Sequence, residues 1–303
     1  MTGLLIAAMP GENAPATRLA AAMNTPMQEV AVHRFPDGES RVRAISAAKT
    51  TIIYCSLDRP NEKLVELALA ASALRDLGAE RLVLAAPYLC YMRQDAAFEK
   101  GEAVSQRTIG RMLSNWFDCI VTIEPHLHRV RSLHEVFPNT ETTAISAAPL
   151  LGQLIKKICS DVASALIVGP DLESQKWAKA VAFELGASCA VLKKTRKGDK
   201  SVSVSLSDNA IVAGKRVYLV DDVASTGETL AAAALLVKSN GAQRIEALIV
   251  HALFDETADR HMHKAGLSHL WSTDSVRHPT NAIEVAPLLA DALSKEQLNE
   301  HTH

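Results

Sequence analysis

The sequence predicts an α/β protein of two similar domains, each a mostly parallel sheet flanked by helices. Short apolar runs of strand length recur along the chain with helical patterns between them, the alternation expected of parallel sheets covered by helices. Nearly half of the residues are hydrophobic (48%) and only 4% aromatic, a composition suited to layered strands and helices. The two halves also share a rhythm of polar loops at strand ends: Pro87-Tyr88 and Glu124-Pro125-His126 in the first, Gly169-Pro170-Asp171 and Asp221-Asp222 in the second.

The strand-like runs are Leu4 to Ala8, Thr51 to Cys55, Arg81 to Ala86 and Cys119 to Ile123, then Ala165 to Val168, Cys189 to Leu192, Val217 to Val220 and Ala247 to Ala252. Between them, Glu62 to Leu77 sets Leu64, Leu67, Ala68, Ala71 and Leu74 on one helical stripe, and Gly78 suits its C-cap. Helices over Trp177 to Leu185 and Leu230 to Ser239 stop in the same way at Gly186 and Gly241. Pro, Asn and Thr cluster without periodicity between Pro138 and Ser146, which places the division there, with domains at 1–143 and 144–303. The polar, His-containing tail after Lys295 is expected to fray.

At 303 residues the chain can bury two cores. A formal net charge of −2 without a basic face leaves no electrostatic footprint for nucleic acid or a membrane surface. No apolar run reaches membrane-spanning length, and the opening residues read as a first strand rather than a leader. Five widely spaced cysteines, Cys55, Cys90, Cys119, Cys159 and Cys189, fit core thiols of a reduced cytoplasmic protein and do not support a zinc site.

The chemistry concentrates between Arg216 and Leu230, where a buried strand, two carboxylates and a small-residue turn precede an Ala-rich helix. Such an element suits a sugar phosphate. Thr226, Gly227 and Thr229 offer hydroxyls and open backbone N–H groups where a helix dipole favours an anion. Asp221 and Asp222 would repel that phosphate, so their partners are ribose hydroxyls or a hydrated Mg²⁺. Arg93, Gln94 and Asp95 sit together in a loop after a strand and suit the phosphates and polar edges of a nucleotide. His126, after a clean apolar strand, is placed for a metal ligand or a proton carrier, and Asp171 can give Mg²⁺ a hard oxygen. The basic run from Lys193 to Lys200 reads as a solvated face or as a mobile loop that closes cations over a polyphosphate.

The Asp221 to Thr229 segment resembles the phosphoribosyl pyrophosphate binding loop of phosphoribosyltransferases and phosphoribosyl pyrophosphate synthetases, with Glu228 where a second glycine is common. Five elements in order, over nearly the whole chain, resemble the ribose-phosphate pyrophosphokinase family, closest to its archaeal-type branch. The resemblance implies two type I phosphoribosyltransferase-like domains. It implies that Phe35-Pro-Asp-Gly-Glu39 reaches across a subunit interface, with Phe35 stacking on adenine and Asp37 and Glu39 nearby. Arg93, Gln94 and Asp95 would form the ATP loop, and His126 and Asp171 would organise Mg²⁺. Asp221 and Asp222 would hold the ribose hydroxyls, Ser225 to Thr229 the 5-phosphate, and Lys194 and Arg196 would be catalytic, with His126.

The expected reaction transfers the diphosphoryl group of ATP to the C1 hydroxyl of ribose 5-phosphate, in a homo-oligomer that is a dimer or larger. Glu124 in place of Asp, and Leu172 to Ser174 in place of glycines, depart from the pattern. A phosphoribosyltransferase would not need the Phe35 loop or the Arg93 group. A regulatory paralogue would not need Lys194, Arg196, His126 and Asp171, which are all present.

Overall fold

The computed structural model describes residues 3–197, 201–206 and 211–300, with side chains described over 3–192 and 211–295. Two compact units result, Met1–Ile145 with Glu284–His303, and Ser146–Ile283. The first contains β1 (Leu4–Ala8), α1 (Asn13–Ala22), β2 (Met27–Glu29), β3 (Ala31–Arg34), β4 (Ser40–Arg43), β5 (Thr50–Tyr54), α2 (Pro60–Asp76), β6 (Arg81–Ala86), α3 (Ser105–Ser114), β7 (Cys119–Ile123) and β8 (Glu141–Ile145). The second contains α4 (Ala148–Ile158), β9 (Leu166–Gly169), α5 (Gln175–Leu185), β10 (Ser188–Lys197), β11 (Ser201–Leu206), β12 (Arg216–Ala224), α6 (Glu228–Ser239), β13 (Arg244–Ala252), α7 (Glu256–Lys264), β14 (His269–Thr273) and β15 (Asn281–Ile283). The last helix, α8 (Ala286–Glu300), returns to the first unit and packs on α1.

The first sheet runs β2-β1-β5-β6-β7-β8 with every pairing parallel. The second runs β11-β10-β9-β12-β13-β14-β15, parallel except where β10 meets β11. Leaving out the edge strand β11, the strand orders are the same, so the fold is two similar, mostly parallel sheets. The hairpin β3–β4 stands apart as a two-stranded antiparallel sheet.

Parallel strands covered on both faces must be apolar throughout, and the predicted runs are so: β7 is buried along its whole length, as is β9. Helix α2 buries Leu64, Leu67, Ala71 and Leu74 as the stripe predicts, but Ala70 takes an inner position and Ala68 stays half-buried. It also buries Glu66, which no apolar periodicity would include. Gly186 closes α5 in the left-handed conformation at φ 61°. The tail expected to fray is instead helical as far as Glu300, because α8 docks through its first turns. No helix among the described residues is long and apolar enough to cross a membrane.

Candidate active site

Both sheets reverse their winding beside their first strand. The chain passes from β1 to β2 and returns on the other side of β1 as β5, and it repeats the move with β9, β10 and β12. Ligands of open α/β sheets lie beyond the carboxyl ends of the strands at such a reversal.

In the second unit this place is acidic. The strand β12 runs four residues past its apolar stretch, to Ala224, because Asp221, Val223 and Ala224 keep their pairing with Ile249, His251 and Ala252 of β13. Asp221 and Asp222 are therefore strand residues, 9% and 2% exposed. The backbone N–H of Asp222 donates to Asp221 Oδ1 at 3.0 Å. Burial pushes the Asp221 carboxyl well above the ordinary carboxylate range, and the charges of Asp222 and Asp171 add to the push. Asp171 and Asp222 thus lie near enough to act on the Asp221 carboxyl, and their hard oxygens are of the donor type that suits Mg²⁺.

Asp171 follows β9 in a closed turn. Its Oδ1 accepts from the Ser174 N–H at 3.0 Å, its N–H donates to Ser174 Oγ at 3.1 Å, and Ser174 Oγ donates to its carbonyl at 2.7 Å. Ser174 is fully buried, and a Cβ on Gly169 would lie 2.7 Å from its hydroxyl, so the strand must end in glycine. Serine closure replaces the glycines absent from Leu172 to Ser174, while Leu172 points outward, 56% exposed.

The turn after β12 places Gly227 at the N-cap of α6 with φ 74°. A Cβ there would meet Met262 of α7 at 2.9 Å, so packing as well as backbone conformation demands glycine. Glu228 is exposed and acidic in the first helical turn, where the dipole favours it. Ser225, Thr226, Glu228, Asp255, Thr257 and His261 line an adjoining cavity of about 520 Å³.

The backbone of Lys194 and Arg196 lies in β10, opposite Val204 and Val202 of β11. The basic segment is thus strand as far as Lys197 rather than loop from Lys193, because the alternating Ser-Val segment pairs with it; the side chains lie outside the described set.

In the first unit, Phe35 sits at the turn of the β3–β4 hairpin, 39% exposed, its ring edge-on to His33 at 4.8 Å. The turn closes through Phe35 N–H to the Glu39 carbonyl at 2.7 Å and Gly38 N–H to the Phe35 carbonyl at 2.9 Å, with Asp37 accepting from Glu39 N–H at 3.1 Å. Asp37 and Glu39 are exposed. The turn of this hairpin and the facing residues of α2, from Asn61 to Leu69, line a cavity of about 740 Å³.

The loop after β6 brings Arg93, Gln94 and Asp95 to one edge, with Arg93 exposed. Gln94 accepts from the Ser105 hydroxyl, and Asp95, 8% exposed, accepts from the Arg129 N–H at 2.9 Å and from its guanidinium at 2.5 Å. Burial alone would raise the Asp95 carboxyl, but the hydrogen bonds and charge of Arg129 outweigh it and hold the carboxyl below its usual range. Arg129 also covers the exposed ring of Phe98, 5.4 Å from its centroid. The pairing is not legible in the sequence, because neither Arg129 nor the nearby Arg131 carries a periodic signal.

His126 is half-buried in the loop after β7, and Glu124 before it is 9% exposed and left-handed at φ 37°. Arg59 after β5 and Tyr91 after β6 are left-handed too, at φ 47° and 60°, so three successive strands end in strained loops. Among the described residues no three His, Cys, Asp or Glu side chains form a ready-made metal cage. The five cysteines are free, four of them buried, and burial pushes the Cys90 thiol up to about 12.

Residues 4–116 match the family model described as the N-terminal domain of ribose phosphate pyrophosphokinase, and residues 141–285 match that of the phosphoribosyl transferase domain. The chain is 32% identical to the ribose-phosphate pyrophosphokinase of Methanopyrus kandleri over 91% of its length and 94% of the relative's. It is likewise 32% identical to that of Methanothermobacter thermautotrophicus, over 92% and 95%. The crystal structure of phosphoribosylpyrophosphate synthetase from Mycobacterium smegmatis shares the fold with a TM-score of 0.83 at 24% identity, covering 98% of this chain and 99% of that one.

Proposed function

This chain belongs to the ribose-phosphate pyrophosphokinase family, and on that premise we propose how its residues divide the reaction. The enzyme transfers the diphosphoryl group of ATP to the C1 hydroxyl of ribose 5-phosphate, giving phosphoribosyl pyrophosphate and AMP. The observation that carries the assignment of roles is the acidic reversal point of the second sheet, where Asp171, Asp221 and Asp222 adjoin a phosphate-ready turn.

Asp221 and Asp222 hold the ribose hydroxyls and fix the sugar. Ser225 to Thr229 receive its 5-phosphate at the N-terminus of α6, where the dipole and the open N–H groups favour an anion. Mg²⁺, when bound with the polyphosphate, neutralises charge on the oxygens in transfer. Asp171 and His126 are the residues that would supply ligands to Mg²⁺. Lys194 and Arg196 stabilise the charge that develops as the sugar hydroxyl attacks the β-phosphorus and AMP leaves.

ATP is held by the first unit. Phe35 stacks on adenine, Asp37 and Glu39 border it, and Arg93 and Gln94 meet the nucleotide. Asp95 acts through Arg129, tying the ATP loop to the His126 loop. The Phe35 hairpin completes the site of a second copy of this chain, making the enzyme at least a dimer. Its five free thiols suit the reducing cytoplasm.

The test is direct: purified protein with ATP, Mg²⁺ and ribose 5-phosphate should yield AMP and phosphoribosyl pyrophosphate in equal amounts. Release of ADP or of inorganic phosphate instead would overturn the reading.

A further inference from the structure

The hairpin that carries Phe35 is a separate two-stranded sheet, so something other than the main ladder must fix its direction. Val32 and Val42 give it a partly buried apolar seat, which holds the hairpin down without orienting its tip. The directional contacts come from α2. Glu66 Oε1 accepts from Arg34 Nε at 2.6 Å and from the Ser40 hydroxyl at 3.2 Å, one residue from each strand of the hairpin. Glu62, one helical turn earlier, takes Arg34 Nη1 at 3.1 Å.

The Glu66 side chain is only 5% exposed, whereas Glu62 is 75% exposed. A buried carboxylate costs several kcal/mol unless it is paired, and an apolar residue on that helix face would pack at no such cost. An ordinary surface glutamate would point to solvent. Glu66 instead spends its acceptor on the two residues that flank the loop from Phe35 to Glu39. The bond and charge of Glu66 in turn raise the Arg34 guanidinium above its already high range, so this partner stays charged at every working pH.

We propose that Glu66 is a positioning residue for ATP: it clamps both strands of the β3–β4 hairpin and so sets the angle at which Phe35 meets adenine. The proposal rests on the reading of Phe35 as the adenine-stacking ring. Glu66 itself touches neither substrate, and its effect passes through Arg34 and Ser40. Loss of the clamp is therefore a loss of ATP recognition and not of sugar recognition.

The experiment compares steady-state kinetics of the wild type, Glu66→Gln, Ser40→Ala and Phe35→Ala, with melting temperatures for each. Glu66→Gln keeps the shape and removes the charge, so KM for ATP should rise about tenfold, as the loss of one charged hydrogen bond implies. KM for ribose 5-phosphate and the melting temperature should stay near wild type. Ser40→Ala, which removes the weaker bond, should raise KM for ATP by a smaller factor. If Phe35→Ala raises KM for ATP while Glu66→Gln leaves it unchanged, the clamp is wrong and the adenine reading stands. If Phe35→Ala has no effect, the adenine reading fails and the proposal with it. A parallel rise in both KM values together with a lower melting temperature would make Glu66 a general structural residue and overturn the proposal as well.

Discussion

The two units wind their sheets in the same order yet fill the reversal point in opposite ways. In the first unit Glu12 follows β1 and Asp58 follows β5, near the same reversal at which Asp171 follows β9 and the Asp221–Asp222 pair ends the buried part of β12 in the second. In the first the acids already have a cation. Lys63 Nζ lies 2.6 Å from Asp58 Oδ1 and 3.6 Å from Glu12 Oε1, and donates to the Ser56 carbonyl at 2.7 Å. Burial works against the Lys63 charge, but the hydrogen bond and charge of Asp58 outweigh it and hold the ammonium above its ordinary range. In the second unit burial raises the Asp221 carboxyl instead, and the charges of Asp222 and Asp171 add to the rise. One crevice is closed from within by a lysine; in the other, the acids crowd the buried Asp221, and it is there that we place the sugar phosphate. The fold provides the place, and the side chains at two strand ends decide whether it becomes chemistry or structure.

The sharpest way to break this comparison is to remove one lysine from each unit. Lys194→Ala should lower turnover by about 10²–10³ while leaving ribose 5-phosphate affinity unchanged, since charge stabilisation is realised mainly in the transition state. Wild-type turnover in that variant would remove Lys194 from the catalytic group. Lys63→Ala should do the reverse. Stripping the internal cation from Glu12 and Asp58 should cost about 2–4 kcal/mol of stability, read by urea titration, and leave KM for ribose 5-phosphate as it is. A large loss of sugar affinity on changing Lys63 would mean that the first crevice is not merely structural.

A milder pair of substitutions tests the open crevice. Thr229→Val removes one hydroxyl from the phosphate turn and should weaken ribose 5-phosphate by about 1–3 kcal/mol. Asp222→Asn should impair the sugar by a different route, through the ribose hydroxyls or the ion, and both variants should bind a non-hydrolysable ATP analogue normally. Calorimetric titrations that found wild-type sugar binding in both would move the ribose-phosphate site elsewhere.

The sequence made the open crevice legible and hid the closed one, for a physical reason. Strand, acids and phosphate turn are contiguous from Arg216 to Leu230, so their chemistry is local and can be read along the chain. The apolar runs likewise announce buried parallel strands, because both faces of each must be covered. By contrast Glu12 lies on a different segment from Asp58 and Lys63, and only the parallel pairing of β1 with β5 brings them together. The clamp of Glu66 on Arg34 and the bond of Asp95 to Arg129 span 32 and 34 residues in the same way. Helical periodicity reads a buried glutamate as a break in the stripe, and only tertiary structure shows its partner. The extension of β12 through two aspartates was invisible for a related reason: an apolar pattern stops at the first charge, whereas a ladder continues as long as a neighbour pairs with it.

The smallest expected effect separates the crevices by pH. Glu12 is mostly buried, and burial raises its carboxyl to about 7, with Asp58 adding to the rise while Lys63 and the Ser56 N–H oppose it. The Cys55 thiol beside it is pushed up by burial and stays neutral, so Lys63 and Asp58 are the charges that face Glu12 from the β5–α2 segment. A carboxyl whose folded pKa lies above its unfolded value binds more protons in the native state between the two. Stability from this group is therefore full below the ordinary carboxylate value near 4.5 and is lost as pH rises through about 7. Discounted for partial exposure, the loss is on the order of 1–2 kcal/mol between pH 5 and 8. Glu12→Gln removes the titrating group, so the variant should lose less stability than wild type over that interval, and the difference should appear in urea midpoints at matched pH. Parallel pH profiles for the two proteins would mean that Glu12 stays ionised beside Lys63 throughout, and the first crevice would then be an ion pair at every pH instead of a proton-sensitive lock.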